Sequence, residues 1–94
     1  MFVLHVDLVV KPGMQQDIEL AYGEVFYPAI SGQAGFQAAG LLRPEAGGNS
    51  YRLTIAFINR ELQQKWVSTE LHQQVWPQIE SRCSGFSVNY YTTV

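Results

Sequence analysis

His72 is a titratable side chain in the middle of an apolar stripe. In the segment KWVSTELHQQVWPQI, residues 65–79, the residues Leu71, Val75 and Ile79 recur at the spacing of one helix face. His72 and Trp76 fall inside or beside that face. An imidazole in such a place is either a core histidine bonded to a backbone carbonyl or a base that lines a pocket. The pattern leaves both interpretations open.

Several aromatic residues could form the walls of such a pocket. Trp66 lies just upstream of the stripe and could stack on a planar ligand, or it could simply fill the core. The same two interpretations apply to the further candidates for substrate binding, which are aromatics at positions predicted to face the helices: Tyr22, Phe26, Trp76 and Tyr90.

His5 and Asp7 form a second candidate acid–base unit. They are two residues apart in a predicted strand and therefore share one of its faces. In the functional interpretation, Asp7 orients the imidazole of His5. In the alternative, both side chains face solvent or a partner subunit.

The periodicity of apolar residues predicts the elements that position these side chains. Alternation predicts strands and a spacing of three and four predicts helices. Pro28 and Pro77 are expected to kink or end their helices, and Asn59 and Thr69 can cap the helices that follow them. The predicted elements are a strand over 2–10, a helix over 14–30, strands over 35–43 and 51–58, helices over 60–67 and 69–79, and a strand over 86–94.

This order of elements predicts an α+β fold of the ferredoxin-like split βαβ type, β-α-β-β-α-β, with an antiparallel sheet. Residues 1–94 are long enough for one domain. Both helices of this arrangement cover the same face of the sheet. The strands nevertheless carry apolar residues on both faces, as Val3 and Leu4 illustrate. We therefore predict a homodimer formed through the uncovered sheet face.

Composition excludes several classes of partner. The net charge is −2 and the six Lys and Arg residues are scattered, which argues against nucleic acid. The amino-terminal segment MFVLHVDLVV lacks the basic start of a signal peptide, and no apolar run is long enough to span a membrane. A lone Cys83 allows no internal disulfide and is expected to be buried. A cytoplasmic location follows as the expectation.

Four stretches of the sequence resemble the antibiotic biosynthesis monooxygenase family, within the dimeric α+β barrel superfamily. They are VVKPG at the end of the first strand, SGQAGFQAAGLLR, YRLTIAFINRELQQKW and STELH. The resemblance implies a dimeric α+β barrel with a pocket in each subunit, in which Trp66 and His72 stand at positions where the family often has Trp and His. It also implies a cofactor-independent oxidation of an electron-rich aromatic such as a quinol, phenol or anthrone.

The sequence has neither a metal-ligand motif nor a glycine-rich phosphate loop, which is consistent with a reaction that uses no cofactor. We therefore expect neither a metal nor a cofactor. His72 would be the base, Trp66 the stacking wall, and a small apolar or aromatic molecule the ligand. Two other functions stay open: a non-catalytic binding or stress-associated module, and a proton-transfer isomerase or lyase. The sequence departs from the anthrone-oxidising members of the family at Leu62, where those members carry Asn.

Overall fold

Four strands and one layer of helices make up the chain, and the computed structural model describes all residues from 1 to 94. Their order agrees with the predicted one. The elements are β1 (Phe2–Val10), α1 (Gln15–Ala21), a π-helical segment (Tyr22–Phe26), α2 (Tyr27–Ser31), β2 (Phe36–Leu42), β3 (Ser50–Phe57), α3 (Arg60–Val67), α4 (Glu70–Glu80) and β4 (Cys83–Thr92).

The sheet is antiparallel throughout, with the strand order β2-β3-β1-β4. The first strand lies in its centre, where Leu4 pairs with Ile55 on one side and with Tyr90 on the other. This is the ferredoxin-like arrangement, so the predicted fold class is confirmed. Alternate residues of β1, from Phe2 to Val10, point to the face that the helices cover and are almost fully buried.

The helical stretch from residue 15 to residue 31 departs from the predicted pattern. A regular helix would place Val25 on the buried face beside Phe26, but Val25 is exposed. The π-helical segment Tyr22–Phe26 is the cause, because it adds one residue to a turn and shifts the buried face from Ala21 to Phe26. The helix does not end at Pro28, which lies in the first turn of α2, but continues to Ser31. Helix α4 likewise continues past Pro77 to Glu80.

The last two helices are separated by the two residues Ser68 and Thr69, close to the predicted boundary between helices over 60–67 and 69–79. The side chain of Asn59 accepts a hydrogen bond from the backbone N–H of Leu62 at 2.9 Å and so caps α3. Thr69 caps α4 in the same way, accepting from the N–H of His72 at 3.1 Å. The break gives α4 a direction of its own and places His72 in its first turn.

The outer face of the sheet is covered by no element of this chain. It combines apolar side chains that are about half exposed, such as Val9, Leu42 and Tyr91, with the charged pair Asp7 and Arg52. None of the helices is both long enough and apolar enough to cross a membrane.

Candidate functional site

A cavity of about 140 Å³ lies between the inner face of the sheet and the helices α3 and α4. Eleven of its 13 lining residues are hydrophobic, so it suits a small apolar ligand. Its floor is made by the aliphatic side chains of the two central strands, Leu4 and Val6 from β1 and Leu53 and Ile55 from β3.

His72 reaches the cavity from the first turn of α4. Its Nδ1 atom is buried and has no hydrogen-bond partner in the protein. Burial lowers the pKa of His72 below its usual value of 6.5. The position near a helix N-terminus acts in the same direction, because the helix dipole disfavours a cation there. The imidazole is therefore neutral at pH 7 and has a nitrogen available for a ligand.

Two indole rings flank this imidazole. Trp66 meets it edge to face, with ring centroids 5.1 Å apart, and Trp76 lies nearly parallel to it at 6.5 Å. Trp66 is only 2% exposed and also packs edge to face on Phe26 at 6.3 Å. Both tryptophans and Phe26 line the cavity, so the planar walls predicted from the sequence are brought together.

The strand β4 supplies the outer edge of the cavity. Tyr90 and Phe86 both line it, yet about half of each side chain is exposed. Tyr90 stacks on Phe2 at 5.6 Å, and Phe86 packs edge to face on Trp76 at 5.2 Å. The sequence pattern placed Phe86 in the last strand but gave no reason to assign it to the site.

Tyr22 does not line this cavity. Its ring stacks on the far side of Phe26, with the centroids 6.1 Å apart, and burial raises its pKa to about 12. Its other neighbours form a separate polar cluster, in which Arg43 and Tyr51 both donate hydrogen bonds to the Glu19 carboxylate. These two bonds, that from Arg43 first, lower the pKa of Glu19 to about 2.

His5 and Asp7 lie on the outer face of the sheet, on the opposite side from His72. The Asp7 carboxylate accepts a hydrogen bond from Arg52 Nε at 2.7 Å across the paired strands β1 and β3. The imidazole of His5 instead packs against the ring of Tyr91 at 4.9 Å. The partner of Asp7 in the subunit is thus Arg52 and not His5, and both side chains lie on the face that this chain leaves uncovered, as in the alternative interpretation.

A larger depression of about 680 Å³ surrounds Asp7 and Arg52 on this outer face. Fewer than half of its lining residues are hydrophobic, and it contains neither His72 nor an indole ring. We place the candidate site in the smaller cavity, because it combines a partly buried imidazole with two indole walls.

Gln63 is a cavity residue that the sequence analysis missed. It is the one polar residue among the buried residues of the chain, with 4% of its surface exposed. Its neighbour Leu62 packs against Gly35, where any side chain would clash with Leu62. Gly35 also has a positive φ of 83°, which favours glycine. With Leu62 packed there, Gln63 faces the cavity. Its place one helical turn before Trp66 is the only sequence signal that points to it.

No group of three or more His, Cys, Asp and Glu side chains lies close enough together to hold a metal ion. The polar residues that line the cavity are Gln63 and His72. The arrangement can therefore bind a small planar molecule, exchange a proton with it at His72 and shield it from water.

The sequence model of the antibiotic biosynthesis monooxygenases matches residues 1–77, which is most of the chain. The chain belongs to this family. The matched region contains every element of the site except β4, so it includes Trp66, His72 and Trp76. No functionally curated protein matches the chain in sequence at a significant level.

Solved structures of antibiotic biosynthesis monooxygenases have the same fold. SnoaB, a cofactor-independent oxygenase from Streptomyces nogalater, superposes with a TM-score of 0.86 at 13% identity, over 98% of this chain and 91% of SnoaB. A Bordetella bronchiseptica protein assigned to the family gives a TM-score of 0.85 at 14% identity, over 99% and 97% of the two chains.

MhuD, solved with two manganese protoporphyrin IX molecules bound per active site, is also similar, with a TM-score of 0.82 at 20% identity over 100% of this chain and 95% of MhuD. The same fold thus occurs in a cofactor-independent oxygenase and in a protein that binds a porphyrin. At these identities the superpositions establish the fold of this family member, and its reaction must be argued from the cavity itself.

Proposed function

We propose that this protein is a cofactor-independent monooxygenase that oxidises a small, electron-rich aromatic molecule carrying an acidic hydroxyl group. The observation that carries the proposal is the partly buried imidazole of His72, whose Nδ1 has no hydrogen-bond partner, at the wall of a cavity that Trp66 and Trp76 also line. A neutral base, planar walls and a water-poor interior are what a protein can contribute when the substrate itself supplies the electrons.

The proposed reaction balances without an external reductant. His72 takes the hydroxyl proton, and the electron-rich anion that results reduces O₂. One oxygen atom replaces the hydrogen of a ring carbon and forms a carbonyl group. The other oxygen atom leaves as water with that hydrogen and the proton that His72 took from the hydroxyl group. A phenol with a free para position is converted in this way to a quinone.

The proton transfer sets a requirement on the substrate. A simple phenol has a pKa near 10, and the pKa of His72 lies below 6.5, so the transfer is uphill by more than about 3 pKa units. That corresponds to at least about 4 kcal/mol, which a slow enzyme can tolerate. Substrates with a more acidic hydroxyl group are therefore favoured, and a conjugated carbonyl group lowers the phenol pKa because it stabilises the anion.

Oxygen uptake with a panel of phenols and hydroquinones tests the proposal. Dialysed, chelator-treated protein is expected to consume one O₂ for each quinone formed and to release no hydrogen peroxide. Catalase added at the end is the control, because it returns half of the consumed O₂ if peroxide is the product. Monooxygenation is contradicted if oxygen uptake is no faster than in the absence of protein, or if catalase returns half of the consumed O₂. Either result leaves the binding-module or proton-transfer alternatives.

A further inference from the structure

Gln63 is the polar residue of the cavity whose role the proposed reaction leaves unassigned. Its side chain is buried at the centre of α3, among hydrophobic residues. A buried side-chain amide has one oxygen and one NH₂ group to satisfy. The Gln63 oxygen is satisfied from outside the cavity, because it accepts a hydrogen bond from Gln64 Nε2 at 3.0 Å.

The amide nitrogen of Gln63 has no such acceptor among the side-chain hydrogen bonds of the protein, and Gln64 fixes its orientation by holding the oxygen. This nitrogen is not among the fully buried polar atoms that lack a partner, so water or a ligand can reach it, and Gln63 lines the cavity. A ligand that displaces the water from an N–H donor must offer an acceptor in its place, because an unpaired donor is unfavourable. The position therefore suits a ligand that brings its own acceptor atom into the cavity.

We propose that the side-chain amide nitrogen of Gln63 donates a hydrogen bond to an oxygen atom of the ligand. The cavity then selects aromatic molecules with two functional oxygens, one whose proton His72 takes and a second that accepts from Gln63. Aromatic hydrocarbons and simple monophenols bind more weakly. This inference rests on the proposed function only for the identity of the oxygen that faces His72.

A matched pair of unreactive ligands tests the donor directly. Indan-1-one and indane have nearly the same shape and differ by one carbonyl oxygen, which can only accept. Affinity is measured through the fluorescence of the cavity tryptophans. The native protein is expected to bind indan-1-one about tenfold more tightly than indane. Gln63→Met should abolish that preference while changing the affinity for indane by no more than about twofold.

Gln74→Met is the control, because it makes the same chemical change at an exposed position of α4 outside the cavity. It should keep the tenfold preference. If Gln63→Met keeps the preference as well, the proposal is overturned and Gln63 is a structural residue. Because neither ligand is oxidised, the result stands whether or not the protein shows monooxygenase activity.

A measurement on the native protein covers the case in which Gln63→Met fails to fold. The side-chain NH₂ signals of ¹⁵N-labelled protein are assigned to Gln63 by their absence from Gln63→Asn. They are expected to move downfield on addition of indan-1-one and to move little on addition of indane. Equal shifts with both ligands would overturn the hydrogen bond.

Discussion

The imidazole of His72 lies edge to face with the indole of Trp66, with the ring centroids 5.1 Å apart and the planes at 83°. The two residues come from different helices, α3 and α4, which a two-residue break separates. The contact therefore depends on the capping of α4 by Thr69, which places His72 in the first turn. It links the base proposed for the reaction to the wall proposed for the substrate.

Replacing Trp66 by Phe distinguishes a residue that stacks on the ligand from one that only fills the hydrophobic core. The change keeps an aromatic ring, so it should cost less than about 1.5 kcal/mol in the free energy of unfolding measured with urea. Affinity for aromatic ligands should fall a few-fold, because the stacking surface is smaller. A loss of several kcal/mol with unchanged ligand affinity would identify Trp66 as core alone.

The rate should depend on pH through His72. Burial lowers the pKa of this residue, and only the neutral form can accept a proton. We expect kcat/KM to be constant from pH 7 upwards to the next ionisation and to fall as the pH drops through a value below 6.5. The profile is measured by oxygen uptake with one hydroquinone. An acid limb centred above 6.5 would contradict a desolvated base.

The free energy of unfolding should also depend on pH through His72. The unfolded chain binds a proton at His72 below pH 6.5, while the folded protein resists protonation until a lower pH. Folding stability is therefore lost as the pH falls below 6.5. The urea midpoint of the native protein should drop further between pH 7.5 and 5.5 than that of His72→Gln. Equal drops in both proteins would show that His72 is not held neutral by the fold.

The uncovered outer face of the sheet predicts a homodimer. Leu42 and Tyr91 are each about half exposed there, and face-to-face packing of two sheets would bury them. Light scattering at micromolar concentration should give about twice the 10.6 kDa mass of the chain. Leu42→Arg should shift the protein towards monomer, whereas Leu71→Arg, on an exposed helix position, should not. A native protein that is folded and monomeric would contradict the prediction.

The sequence predicted the elements that follow a regular period and missed those that break it. Alternation in β1 and the caps at Asn59 and Thr69 sufficed to place the strands and the last two helices. The π-helical segment was not visible, because one extra residue in a turn leaves no compositional mark, and Val25 was therefore placed on the wrong face. Neither proline marks a helix end, because α2 continues past Pro28 to Ser31 and α4 continues past Pro77 to Glu80.

The site was predictable where side chains are large and apolar. Trp66, Trp76, Phe26 and Tyr90 were candidates because aromatic residues on buried faces tend to meet, and the cavity contains all four. Gln63 was missed because glutamine in a run of polar residues normally faces solvent. Its burial follows from the contact between Leu62 and Gly35, which are distant in sequence. Such tertiary contacts are not encoded in local periodicity.

The change of His72 to Gln tests the central claim most directly. Glutamine keeps a polar side chain of similar size but cannot act as a base, so the variant should fold as the native protein does, as judged by circular dichroism. Oxygen uptake with the best hydroquinone substrate should fall by about 10²-fold or more. Full activity in a folded His72→Gln protein would contradict the account, because the reaction would then proceed without the base on which it depends.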